Sequence, residues 1–260
     1  MRTIVITNQK GGVGKTTTTI SMAAELHRLG YRVLAVDFDP QGDLTFGTGV
    51  GKPEDTIYEL MEGKIAPKQV IVHREDSFDL IPAGLQLSLA DTKYAQQEGG
   101  YEKLKNALKP LRNKYDFVII DNKPSFGMLP LNAMMAADDV IVPIESGVFS
   151  IAALDNVVKT IEQVKKQGNA KLRLRGILVT RCTLFTNISK EVAGVARQLS
   201  SVYQTSVFQS AIHNTVDVPE AQKRGIDVGT YRPKSKAAKD YASFVGEYLE
   251  MIGANEKGGK

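Results

Sequence analysis

The chain has 260 residues, 42% of them hydrophobic and 24% charged, with a formal net charge of +4. That length and balance suit one sizeable core and a single α/β domain over residues 1–252, with a tail, 253–260, expected to fray. The lone cysteine, Cys182, excludes an internal disulfide framework and a four-cysteine metal site; it reads as a buried small side chain and fits a reducing compartment. No apolar run approaches the ~20 residues that span a bilayer. The opening MRTIVITNQK turns polar too early for a signal peptide, so a cytoplasmic location is expected. The mild positive charge permits an anionic partner without requiring one.

Strand-like and helix-like segments alternate along the chain. Arg2–Thr7 predicts a buried strand, and Lys15–Leu29 a helix with apolar residues at Ile20, Ala23, Ala24 and Leu26, closed by Gly30. Arg32–Asp37, Phe78–Pro82, Asp116–Asp121, Val140–Pro143 and Leu172–Thr180 predict further strands. Ile151–Lys166, Ile188–Leu199 and Ser235–Ile252 predict helices. Such alternation implies an α/β fold, a mainly parallel twisted sheet flanked by helices on both faces.

Between the first strand and the first helix stands Lys10-Gly11-Gly12-Val13-Gly14-Lys15-Thr16-Thr17. A glycine-rich turn there lets backbone N–H groups close around phosphate oxygens, and the helix N-terminus adds unpaired donors and a favourable dipole. The nucleotide-binding set is therefore Gly11, Gly12, Val13, Gly14, Lys15, Thr16 and Thr17. Lys15 is expected to reach the β- and γ-phosphates, and the Thr16 hydroxyl to ligate Mg²⁺. Two further segments agree. Asp37-Phe38-Asp39-Pro40 closes the second strand, placing carboxylates at the sheet edge where open α/β folds bind ligands; Asp37 is suited to support Mg²⁺ or the loop lysines. Asp121 ends the apolar run Phe117–Ile120, the arrangement in which a carboxylate holds Mg²⁺ through water.

The second lysine, Lys10, sets the loop apart from the ordinary Walker A form. KGGVGKTT resembles the deviant Walker A ATPases, the ParA/MinD superfamily, and within it the ParA/Soj partition ATPases over nearly the whole chain. Further marks are Val36-Asp37-Phe38-Asp39-Pro40-Gln41-Gly42, Leu131-Asn132-Ala133, Gly176–Thr180, Glu220-Ala221 with Gly225, and Tyr231-Arg232-Pro233-Lys234-Ser235. The resemblance implies ATP and Mg²⁺ as ligands and an ATP-dependent homodimer in which Lys10 reaches the partner's phosphates. It implies Asp39 as the catalytic aspartate that orients the attacking water, with Lys10 and Lys15 stabilising charge. Slow hydrolysis would time the switch, with Gly42–Gly51 and Lys123–Gly127 as the moving segments.

The chain opens on the first strand, like the short members that bind DNA without sequence preference and answer to a centromere-binding adaptor. The DNA segment departs from the family: His213-Asn214-Thr215-Val216-Asp217 stands where arginines are common, and Phe185 where another often lies, with Arg181 nearby. Substitute cations are Lys190, Arg197, Lys223, Arg224, Lys234, Lys236 and Lys239. The missing arginines favour a ParA-like switch that positions cargo through protein contacts, whereas the overall similarity favours DNA segregation. Lys123 replaces a proline of the family pattern, and either adds positive charge beside the γ-phosphate or alters switch movement. Glu247 and Glu250 make the last helix unsuited to an anionic membrane. His27, His73 and His213 have no metal-ligand spacing and are assigned no chemistry.

Overall fold

Runs of β-branched residues with side chains alternating between two buried faces make the sheet. In the computed structural model, which describes residues 1–124, 127–145, 151–183 (backbone only at 151–153), 190, 194 and 205–254, seven strands are resolved. They are β1 Arg2–Ile6, β2 Val33–Phe38, β3 Asp79–Ile81, β4 Phe117–Asn122, β5 Asp139–Glu145, β6 Arg173–Cys182 and β7 Val207–His213. Their order is β3-β2-β4-β1-β5-β6-β7, and every pairing is parallel.

Period-two alternation splits the core into two layers. Ile4, Ile6, Phe117 and Ile119 face α1 (Lys15–Arg28) and the last helix (Lys236–Ile252), where Phe244 and Tyr248 are wholly buried. Val5, Val36, Val118 and Ile120 face the opposite layer, filled by Tyr94, Leu104, Leu129, Val157 and Ile161. Helices on both faces are what an all-parallel sheet requires, because each face must be covered.

The predicted strands and the helices predicted at Lys15–Leu29, Ile151–Lys166 and Ser235–Ile252 are found, with ends displaced by a residue or two: β2 begins at Val33, β5 extends to Glu145, and Ser235 caps the last helix rather than opening it. Strand β7 was not foreseen, nor were the short helices Asp43–Gly47, Ile57–Met61, Pro67–Val70, Leu89–Ala95, Lys103–Leu108, Met128–Ala136, Asp217–Lys223 and Val228–Tyr231. Of the predicted helix Ile188–Leu199, only Lys190 and Gly194 are described, and both are helical. The rest, Arg197 included, lies outside the described residues, as do Phe185 and 255–260. Gly253, in the left-handed region at φ 66°, ends the last helix as its C-cap.

One feature of register positions the site. Parallel pairing sets Asp37 of β2 beside Asp121 of β4, and Asp121 beside Ile6 of β1. The two carboxylates and the glycine loop leaving β1 therefore reach one edge, the carboxyl end of the central strands.

Candidate nucleotide-binding site

The loop is built from its entrance inward. Buried Asn8 donates from Nδ2 to the Pro143 carbonyl at 2.7 Å, and its Oδ1 accepts the Lys10 N–H at 2.9 Å, which ties the loop to β5. Gly12 and Gly14 then take φ of 74° and 85°, and Gly14 is the N-cap of α1. Those left-handed residues curl the chain so that the backbone N–H groups from Gly11 through Thr17 have no acceptor among the described residues. Unpaired amides converging at a helix N-terminus make an anion site. Lys15 lies in its centre, 8% exposed, with Nζ donating to the Lys10 carbonyl at 3.2 Å. Burial lowers its pKa, against the pull of Asp121, Asp39 and Asp43.

Asp121 is 2% exposed, and its Oδ2 accepts the Thr16 hydroxyl at 2.7 Å. Burial, reinforced by the nearby Asp37, raises its pKa to about 8, although the Thr16 bond and Lys15 oppose the shift. Asp37 is wholly buried, and burial raises its pKa to about 7. Its oxygens are already engaged: Oδ2 accepts the Thr45 hydroxyl at 2.6 Å and the Thr45 N–H at 2.8 Å, and Oδ1 accepts the Asp39 N–H at 3.2 Å. Asp37 thus lends its charge to the site while its lone pairs anchor helix Asp43–Gly47. Asp39 lies half-buried on the cavity wall, its Oδ1 accepting the Gln41 N–H at 3.0 Å.

The glycines of the loop, Lys15, Thr16, Thr17 and Asp39 line a cavity of about 900 Å³, which extends past Arg181 and Gln222 to the end of β7. Lys10 points away from the loop centre and pairs with Glu145 at 2.9 Å, leaving its side chain 42% exposed. Arg181, itself in the left-handed region at φ 56°, donates to the Gly12 carbonyl at 2.9 Å and lies 3.8 Å from the other Glu145 oxygen. Lys123 borders the cavity and is ion-paired with Asp91, whose Oδ1 also accepts the Leu129 N–H at 3.0 Å.

Sequence reasoning missed Asn122, Arg181 as a loop contact, Gln222 and the wall made by His213. Asn122 is 1% exposed, and its Oδ1 has no partner among the described residues although its amide donates to the Thr7 hydroxyl at 3.2 Å. Its place after the Asp121 carboxylate was the available signal; the others depend on β7 and the turn after it. The expected DNA-contact residues lie elsewhere. Lys223, Arg224, Lys234, Lys236 and Lys239 are exposed on the segment from Asp217–Lys223 to the last helix, and Lys190 is exposed apart from them in the chain. Arg224 and Arg232 stack on Tyr231 at 5.1 and 5.9 Å from its ring centre, Arg232 also pairs with Asp217 at 2.7 Å, and Lys236 pairs with Asp240 at 3.2 Å.

Comparison with known proteins agrees with this geometry. Residues 1–174 match the family described as AAA domain. The chromosome-partitioning ATPase Soj of Thermus thermophilus is 38% identical over 252 residues, spanning 97% of this chain and 97% of Soj. The structure of cobyrinic acid a,c-diamide synthase from Mycobacterium smegmatis, with bound ATP analogue and magnesium, is similar at a TM-score of 0.85 and 34% identity, over 97% of this chain and 95% of that one. McdA of Cyanothece, in complex with ATP, is similar at a TM-score of 0.86 and 26% identity, over 100% and 99%. A P-loop of deviant Walker A form at the edge of an all-parallel sheet, with full-length similarity to Soj, settles the relationship: the chain belongs to the ParA/Soj family of P-loop ATPases.

Proposed function

We propose that this protein is a Mg²⁺-dependent ATPase that forms a homodimer on binding ATP, holds duplex DNA without sequence preference in that state, and is reset when a centromere-binding adaptor stimulates hydrolysis. The observation that carries the ATPase reading is the ring of unpaired amides from Gly11 to Thr17, closed by Lys15 and faced by Asp121. The Soj and cobyrinic acid synthase relationships support it.

The residues fit Mg²⁺. The donors are all oxygen: the Thr16 hydroxyl, the Asp121 carboxylate behind it, and the orphaned Asn122 Oδ1. Among the described residues no group of three or more His, Cys, Asp or Glu is poised for a metal, which suits a cation that keeps water and phosphate ligands. Mg²⁺ held by these residues would offset the charge of the phosphate oxygens. The protein's own part is positioning. Thr16 and Asp121 hold the cation side, with Asp37 behind them as charge. Lys15 and the loop amides grip the β- and γ-phosphates, and Asp39 orients the attacking water. Lys10, released from Glu145, reaches the phosphates of the partner subunit.

Exposed Lys223, Arg224, Lys234, Lys236 and Lys239 support a phosphate-contacting face, and Arg232 neutralises the unfavourable Asp217. A second reading, cargo positioning through protein contacts, is favoured by Asp217 itself, an acid inside the proposed footprint. A gel shift of non-specific duplex with ATP across a salt series separates the two. Binding that weakens steeply with salt supports DNA segregation, whereas no binding at low salt removes it. No helix among the described residues is long and apolar enough to cross a membrane; we place the protein in the cytoplasm, on the nucleoid when DNA is bound.

A further inference from the structure

The two ends of the nucleotide cavity differ. Lys15 and Thr16 lie with Asp39 and Asp43 on one side, while Thr17 meets the other, where its hydroxyl accepts a hydrogen bond from Gln222 at 3.2 Å. A triphosphate gripped by Lys15 and Thr16 runs past Thr17, so its nucleoside lies toward Gln222. The wall there is the end of β7 and the turn after it, including His213 and Thr215.

His213 is 7% exposed, and its Nδ1 lies 2.7 Å from Asp240 Oδ2. The same oxygen accepts the His213 backbone N–H at 3.0 Å, and the other oxygen pairs with Lys236 at 3.2 Å. A carboxylate that receives a backbone N–H and faces an ammonium acts as an acceptor, so Nδ1 carries the ring hydrogen. In a neutral imidazole the second nitrogen then holds a lone pair. Nε2 has no partner among the described residues, and unlike the Thr215 hydroxyl it is not sealed from solvent. One ring nitrogen is thus fixed by the protein, and in the neutral ring the other is an acceptor on a residue that lines the cavity.

We propose that His213, oriented by Asp240, selects adenine over guanine by accepting a hydrogen bond at Nε2 from the 6-amino group of the base. Adenine offers a donor at that carbon, whereas guanine offers a carbonyl oxygen, which would set acceptor against acceptor. His213 determines base specificity, and Asp240 is a positioning residue that fixes its tautomer. The inference rests on the cavity being a nucleoside triphosphate site.

The test compares affinities of the full chain with Mg²⁺ for ATP, GTP and purine riboside triphosphate, which lacks the 6-amino group. The unaltered protein is expected to bind ATP about 10-fold more tightly than the purine riboside analogue, with GTP weaker still. In His213→Ala the advantage of ATP over the analogue should shrink to within about 2-fold, while affinity for the analogue itself is retained. Equal binding of ATP and the analogue by the unaltered protein overturns the inference without touching the ATPase reading, and needs no variant to fold. A His213→Ala protein that keeps the full ATP advantage overturns it too. Failure of all three triphosphates to bind would overturn both.

Discussion

Asp121 and Asp37 are carboxylates that burial holds against ionisation, at about 8 and about 7 respectively. An acid whose folded pKa exceeds its unfolded value binds more protons in the folded state. The nucleotide-free protein should therefore lose stability as pH rises from about 4 to 8. Asp121→Asn removes one of the two charges. At about pH 8 it should melt higher than the unaltered protein by about 2–4 °C, while losing the stabilisation conferred by Mg²⁺ with ATP. Melting curves across pH check both halves; an Asp121→Asn protein that melts lower at every pH contradicts the assigned burial cost. Lys15→Ala, which empties the centre of the amide ring, should abolish the calorimetric heat of ATP uptake and leave the fold intact. At this scale the sequence was most readable: a glycine loop between strand and helix, and aspartates ending apolar strands, carry their chemistry locally. His213 was unreadable because its role depends on Asp240, 27 residues away in the chain.

Helix Asp43–Gly47 shows how an element is tied to the site. Its Thr45 donates twice to Asp37 and also accepts the Ala83 N–H at 3.1 Å, so one side chain joins the helix, β2 and the loop after β3. Thr45→Val should cost about 1–3 kcal/mol by stranding the Ala83 N–H and removing one of the donors to Asp37, and should slow ATP hydrolysis more than it weakens ATP binding. Denaturant melts and steady-state kinetics test this; a loss of binding alone would mean that the helix does not govern Asp39. Farther along the same segment, Gly49 packs on Gly225, where an added Cβ would come within 2.6 Å of the Gly49 Cα. The segment from Gly42 to Gly51 and the family's Gly225 are thus one contact, something spacing in the sequence could not convey. The same limit explains the unforeseen short helices and β7. Helices of four to nine residues show too few turns for a period, and β7 mixes Gln209 and Ser210 into its apolar run.

Across the whole molecule, Asp139 staples the sheet at the end opposite the cavity. Wholly buried, it receives hydrogen bonds from Arg2 at 2.5 Å, Arg175 at 2.7 Å and Tyr248 at 2.9 Å, joining β1, β5, β6 and the last helix. Burial pushes its pKa up, but those hydrogen bonds outweigh it and hold the group below the ordinary value. Its stabilising contribution is present above the unfolded pKa and is lost as pH falls through the lower folded one. Asp139→Asn should cost about 2–4 kcal/mol near neutral pH, since it leaves the partly buried Arg2 and Arg175 guanidinium groups unpaired, and the deficit should narrow in strong acid. A mainly parallel sheet was legible from alternating strand and helix patterns, but this staple was not, since its members lie at four distant points of the chain. The same scale holds the central claim. Lys10 is paired with Glu145, and its assigned role needs a second copy. Light scattering with a non-hydrolysable ATP analogue and Mg²⁺ tests it most directly. The unaltered protein should double in mass, and Lys10→Ala should stay a monomer that still binds the nucleotide; a Lys10→Ala protein that dimerises like the unaltered one would contradict the assigned role.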